Sequence, residues 1–280
     1  MLTAVFERTR SERRLAFIPY LMAGDPDLAT TEQLLSALTA AGADLIELGV
    51  PYSDPLADGP TIAAAGQRAL HNGVGLTEVL TLAQRCRDTC APIVLFTYYN
   101  PVYQFGIAQF AREAAQAGVA GAIVPDLALE ESAELRAALA EQELAMPLLV
   151  APSTPPERAR RIANAAGGFV YVVSRLGVTG ARTAPDFEPL RKQLASLREL
   201  TDKPLAVGFG LSRPEDVREI ASSADAVVVG SALIDAYAGT SGMQAVECAQ
   251  RFLEPLVRAC AAKYAEPSPS RKAQSFRRQG

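Results

Sequence analysis

The segment Leu205-Ala206-Val207-Gly208-Phe209-Gly210, followed by Ala226-Val227-Val228-Val229-Gly230-Ser231-Ala232-Leu233-Ile234-Asp235, carries the pattern that decides the fold. Each half is a short apolar run that ends in glycine and gives way to a helical pattern, at 214–222 after the first and 231–235 after the second. Such continuous runs suit strands buried on both faces of a parallel sheet. Outward in both directions the same unit recurs. Strands are expected at 17–22, 45–50, 93–98, 121–125, 147–151, 169–174, 205–208 and 226–230. Helical patterns lie between them at 31–41 after a Thr30/Thr31 cap, at 107–117 up to Gly118, at 129–143, at 156–166 up to Gly167, and at 187–200; a last one spans 242–263. Eight βα units in an α/β chain close most economically into a (β/α)8 TIM barrel. An open doubly wound sheet is the competing arrangement, but it usually has fewer strands and leaves two edges to protect.

Two features are extra to a minimal barrel. Residues 2–14 read as an amphipathic N-terminal helix placed to cover the barrel's N-terminal mouth, and residues 264–280 as a polar, basic, Pro/Ser-rich disordered tail. The expected organisation is one barrel domain over 1–263 followed by that tail. At 280 residues, 49% apolar and 21% charged, the composition is globular and excludes collagenous, disordered or disulfide-scaffold classes. A net charge of −4 argues against nucleic acid or an anionic membrane as a partner. The first residues lack a signal peptide's apolar core, and no run approaches membrane-spanning length, so the expectation is a soluble cytoplasmic protein.

A single histidine, His71, excludes a multi-histidine metal centre, and no metal is expected. The only lysines are Lys192, Lys203, Lys263 and Lys272, which leaves few candidates for an imine. Chemistry therefore falls to carboxylates, hydroxyls and backbone groups. Cys86 and Cys90, four apart on an expected helix, and the distant Cys248 and Cys260 read as small buried or half-buried thiols.

In a barrel, reacting groups belong at the C-terminal strand ends and in the loops beyond them. Glu47 stands inside the apolar run Leu45-Ile46-Glu47-Leu48-Gly49-Val50, where desolvation disfavours its charged form and raises its pKa toward the range of general acid–base work. An ion-paired structural glutamate is the alternative, but residues 15–67 contain no Lys or Arg to pair it locally. The following loop, 50–61, has three prolines and two aspartates and is too elaborate for a simple connector. Within it Asp58 is either a chemical group or the cap of a helix with Pro60 in its first turn, and Asp54 before Pro55 is an ordinary turn residue on its face. The glycine turns at 177–180, 208–210 and 229–232 let backbone approach a ligand, and those after strands seven and eight suit a phosphate. His71 falls at a helix end, where cations are favoured; Lys203 precedes strand seven at the stability end of the barrel.

From Glu47-Leu48-Gly49-Val50-Pro51-Tyr52-Ser53-Asp54-Pro55-Leu56-Ala57-Asp58-Gly59-Pro60-Thr61-Ile62 the chain resembles the tryptophan synthase α chain family. The resemblance continues through Phe17-Ile18-Pro19-Tyr20, Gly24-Asp25-Pro26, Thr97-Tyr98-Tyr99-Asn100-Pro101, Val124-Pro125-Asp126-Leu127 and Ser174-Arg175-Leu176-Gly177-Val178-Thr179-Gly180, and so covers about residues 1–262 in order. It implies a carbon–carbon lyase of tryptophan biosynthesis, cleaving indole-3-glycerol phosphate to indole and glyceraldehyde 3-phosphate. On that resemblance Glu47 transfers the protons, Asp58 stabilises positive charge at the indole nitrogen, and Tyr171 lies near Glu47. Gly180, Gly210, Gly230 and Ser231 hold the phosphate. Tyr20, Phe96, Tyr98, Pro125 and Phe209 line the indole end, with Thr179 in a closing loop. It also implies an αββα heterotetramer in which Asp54 and Pro55 face a β chain that carries pyridoxal phosphate, while the α chain needs no cofactor. Two other classes would be a different phosphosugar isomerase or lyase on the same barrel, which has no reason to carry the Glu47–Asp58 segment, and a non-catalytic binding subunit, which has no need of a buried Glu47 beside a phosphate site.

Overall fold

The computed structural model describes residues 1–174, 186–208 and 210–261. The expected tail at 264–280, together with Thr179, Gly180 and Phe209, lies outside the described residues. Eight parallel strands appear where apolar runs stand in the sequence: β1 Ala16–Met22, β2 Ile46–Gly49, β3 Ile93–Phe96, β4 Gly121–Ile123, β5 Leu148–Val150, β6 Val170–Val173, β7 Leu205–Gly208 and β8 Ala226–Val229. Most are one or two residues shorter at an end than expected, because the ladder stops where the chain turns into its loop.

The strands follow one another in the order β4-β3-β2-β1-β8-β7-β6-β5. The two ends of that series meet at a parallel bridge between Gly121 and Ala145. There the Ala122 N–H donates to the Ala145 carbonyl at 2.9 Å, and the Ala145 N–H donates to the Ala120 carbonyl at 3.1 Å. A Cβ on Gly121 would collide with the Ala145 carbonyl oxygen, so glycine is what lets the barrel close here.

The helices run in order as α1 Leu2–Ser11, α2 Leu28–Ala40, α3 Pro60–His71, α4 Leu76–Cys86, α5 Tyr99–Phe105, α6 Ile107–Gln116, α7 Ala133–Glu141, α8 Pro156–Ala165, α9 Glu188–Arg198, α10 Pro214–Ile220, α11 Ser231–Tyr237 and α12 Gly242–Cys260. Two expectations are corrected. Helix α2 starts earlier than Thr30/Thr31, since Asp27 is its cap and accepts the Thr30 N–H at 2.7 Å; an ionised carboxylate next to exposed N–H groups is the stronger cap. Cys86 and Cys90 do not share a helix, because α4 ends at Cys86.

Helix α1 packs Leu2, Val5 and Phe6 against the barrel's N-terminal end, with the Phe6 and Phe169 rings 5.6 Å apart. It is fixed there by Asp44, buried at 2% exposure, whose carboxylate accepts from Arg8, twice from Arg14, and from the Phe17 N–H at 3.0 Å. The functional end of the molecule is therefore the opposite one. Among the described residues, no helix is long and apolar enough to cross a membrane.

Candidate active site

The C-terminal strand ends enclose a cavity of 110 Å³. Its floor is built by β1 and β2, which place Tyr20 and Glu47 side by side as register partners facing the same way. Glu47 is 1% exposed, and its Oε1 has no hydrogen-bond partner among the described residues. No ion pair reaches it there either, so burial acts unopposed and pushes the carboxyl up to about 8.

Tyrosines stand on either side. The Tyr20 ring meets Phe96 edge-on with centroids 5.8 Å apart, and Tyr171 reaches in from β6. Burial first, and then the nearby carboxylates, holds both phenols well above their usual range: Asp58 and Glu47 act on Tyr20, and Glu47 acts on Tyr171. Glycine makes room for both hydroxyls. A Cβ on Gly49 at the end of β2 would strike the Tyr20 Oη, and one on Gly208 at the end of β7 would strike the Tyr171 Oη.

Asp58 lies on the loop between β2 and α3 and lines the same cavity. The cap of α3 is Gly59, with no side-chain bond, so Asp58 is not a helix cap. Instead its Oδ1 accepts a 2.9 Å bond from the Tyr98 hydroxyl, which itself accepts from the Ala57 N–H at 2.9 Å. Burial raises the Asp58 pKa while the Tyr98 bond opposes it. Tyr98 is thus a lateral support for Asp58, with its ring 5.3 Å from that of Tyr52, and does not itself line the cavity.

At the far side Gly210, Gly230 and Ser231 complete the wall. Gly210 has φ of +90°, a conformation that glycine adopts without strain. Gly230 precedes α11, and a Cβ there would press on Tyr20. The cavity therefore gathers Tyr20, Glu47, Asp58, Phe96, Tyr171, Gly210, Gly230 and Ser231 from segments far apart in sequence. Pro125 is half-buried and outside this lining. Asp54 and Pro55 sit further out on the β2–α3 loop, where Ser53 donates to Asp54 at 2.5 Å. Four lining residues were not singled out from sequence: Gly59, Ile62, Leu211 and Val228. Ile62 is four residues after Asp58 and Val228 occupies alternating strand register, but an apolar side chain carries no chemical flag.

His71 ends α3, and Lys203 donates to the carbonyls of Asn164 and Ala166 at 2.9 and 2.5 Å, at the opposite end of the barrel. Lys192 is exposed on α9 beside Glu188. None reaches the cavity. Among the described residues, no group of three or more His, Cys, Asp or Glu side chains is placed to hold a metal ion.

The family model for the tryptophan synthase alpha chain matches residues 6–260. The chain is 51% identical over 259 residues to the tryptophan synthase alpha chain of Synechocystis, covering 91% of this chain and 98% of that protein. It is 50% identical to that of Picosynechococcus over 93% of this chain and 100% of that one. This chain belongs to the tryptophan synthase alpha chain family. Solved relatives agree in shape as well. Ligand-free tryptophan synthase from M. tuberculosis superposes with a TM-score of 0.84 at 35% identity, covering 93% of this chain and 98% of that one. The alpha subunit from Legionella pneumophila does so with 0.84 at 32% identity, covering 92% and 97%. This α chain is accordingly a TIM-barrel lyase of tryptophan biosynthesis that performs the α reaction; the family needs no cofactor of its own, pyridoxal phosphate belonging to the β chain.

Proposed function

We propose that this α chain cleaves indole-3-glycerol phosphate by a retro-aldol route in which Glu47 handles both protons. The observation that carries the reading is a buried carboxyl with raised proton affinity and an unengaged Oε1, in a cavity that a second carboxyl also lines. Protonated Glu47 delivers its proton to indole C3, giving a cationic ring. The resulting carboxylate then takes the proton of the side-chain hydroxyl as the carbon–carbon bond breaks. The bonding electrons return to the ring, indole and the aldehyde of glyceraldehyde 3-phosphate are released, and Glu47 is again protonated. Asp58, held by Tyr98, offsets the positive charge at the ring nitrogen. Tyr171 and Tyr20 exclude water beside Glu47, and the backbone at Gly210, Gly230 and Ser231 receives the phosphate, together with Gly180. Phe96 and Phe209 contribute to the indole end, and Thr179 to the closing loop.

The catalytic unit is residues 1–263, acting in the cytoplasm within an αββα complex. Support for the docking face comes from Leu56 at 85% and Tyr103 at 62% exposure, large apolar groups at the same barrel end as Asp54 and Pro55. The test is indole release from indole-3-glycerol phosphate. Wild type should release it, with a higher rate once a β chain is added. Glu47→Gln should keep ligand binding while losing about a thousandfold in turnover; near-wild-type turnover would remove Glu47 from the chemistry.

A further inference from the structure

Far from the active site, at the N-terminal side of β3, two thiols meet one cleft. Cys86 ends α4 and is buried; Cys90 is half-buried; both are free. The Cys90 N–H donates to the Cys86 carbonyl at 3.0 Å and the Thr89 N–H to the same carbonyl at 3.1 Å, closing a tight turn over 87–89. A turn of that kind sets the two Cα atoms about 6 Å apart, inside the range that a disulfide spans. The Cys90 sulfur lies 3.9 Å from the Ser36 hydroxyl of α2 and 3.8 Å from the Thr89 hydroxyl. Both cysteines and Arg87 line a cleft of 60 Å³, room for a molecule the size of a small peroxide.

We propose that Cys86 and Cys90 form an oxidisable dithiol, in which Cys90 attacks a hydroperoxide and Cys86 resolves the product into an intramolecular disulfide. In the first step the Cys90 sulfur bonds to the terminal peroxide oxygen and the O–O bond breaks. Sulfur is oxidised by two electrons to the sulfenic acid, and the peroxide leaves as an alcohol or water carrying the former thiol proton. In the second step the Cys86 sulfur displaces hydroxide from Cys90, the S–S bond forms, and the Cys86 proton leaves with the hydroxide as water.

The assignment of roles follows from the surroundings. A hydrogen bond from the Cys86 thiol, then those from Thr89, Ser36 and Thr39, bring Cys90 down to about 6 against the effect of its burial. The same thiol–thiol bond, followed by burial, raises Cys86. The less buried thiol, Cys90, is therefore the nucleophile and the buried Cys86 the resolving partner. The charged groups around the pair are Arg85 on α4, Glu32 on α2, Arg87 and Asp88 in the turn, and the amino group of Met1, which lines the same cleft; Arg8, Glu12, Arg14 and Asp44 lie across the neighbouring groove.

Treatment of the full chain with hydrogen peroxide at pH 6, followed by peptide mapping, tests this. At that pH under about 1% of an ordinary thiol is thiolate, so Cys90, brought down by its hydrogen bonds, should be oxidised faster than Cys248. The expected product is one peptide that has lost two hydrogens between Cys86 and Cys90. Cys86→Ser should instead gain one oxygen at Cys90, trapped by a 1,3-dione, and Cys90→Ser should stay unmodified over the same exposure. Oxidation of the half-buried Cys248 as fast as Cys90, or a wild-type chain without the Cys86–Cys90 link, would overturn the proposal.

Discussion

Glu47 links chemistry and stability through one proton. Its folded-state pKa of about 8 lies above the ordinary value of 4.5 for glutamate. Between those values the unfolded chain has lost the proton that the folded chain keeps, so stability falls as pH rises, by about 1.4 kcal/mol per pH unit. Glu47→Gln abolishes that slope. Urea unfolding should find the variant more stable than wild type at pH 7 to 8, with the gain vanishing below about pH 4.5. Turnover runs in the same direction, since the proton donor is lost as pH rises through about 8; a rate that climbs steadily above pH 8 would contradict the acid role. At Asp58 the helix cap and the chemical role make different forecasts. Because Gly59 caps α3, Asp58→Ala should leave thermal stability nearly unchanged while turnover falls by about a hundredfold or more. Tyr98→Phe, which removes only the supporting hydroxyl, should fall between that variant and wild type. A loss of about 1 kcal/mol in Asp58→Ala would restore the cap.

At the scale of elements, glycines at strand ends govern the cavity as much as its side chains do. Gly208→Ala places a methyl on the Tyr171 hydroxyl, and the ring it displaces borders the cavity. Turnover should drop between about tenfold and a hundredfold through misplacement, with a smaller effect on the unfolding midpoint; unchanged kinetics would show the ring can move elsewhere. These glycines were legible as turns, but the reason for them was not, since it depends on a tyrosine in the neighbouring strand. The eight strands were legible because burial on both faces leaves apolar residues nearly throughout, Glu47 in β2 being the charged exception. Helix α5 was not, for it is one short element containing Pro101 and follows β3 after only Thr97 and Tyr98. The start of α2 was misplaced because Thr30, Thr31 and Asp27 are all capping types, and only the folded geometry selects Asp27. Glu47 and Asp58 stood out because charge in an apolar run or an elaborate loop is costly. Ile62, Leu211 and Val228 did not stand out, because greasy residues are expected everywhere in such a chain.

Across the whole molecule the two barrel ends divide the work. The N-terminal end is locked by Asp44, whose buried carboxylate gathers Arg8, Arg14 and the Phe17 N–H. The Asp44 bond raises the Arg14 pKa further. Asp44→Ala strips both guanidinium groups of their partner and should cost about 3 kcal/mol in urea unfolding while leaving turnover of the folded enzyme unchanged; a loss of turnover in the native chain would mean that the two ends are coupled. The bridge at Gly121 and Ala145 has a separate consequence. It joins two contiguous halves of four strands each: β1 to β4 before it, β5 to β8 after it, with the β1–β8 ladder as their other junction. The first block owns Glu47 and Asp58, and the second owns Tyr171, Gly210, Gly230 and Ser231. Severing the connection at 126–132 would therefore yield two polypeptides, one bearing Glu47 and Asp58 and the other the glycine turns of the cavity wall. Neither should make indole by itself, and mixing them should recover it, so that split halves of this barrel would act as a reporter of their own reunion.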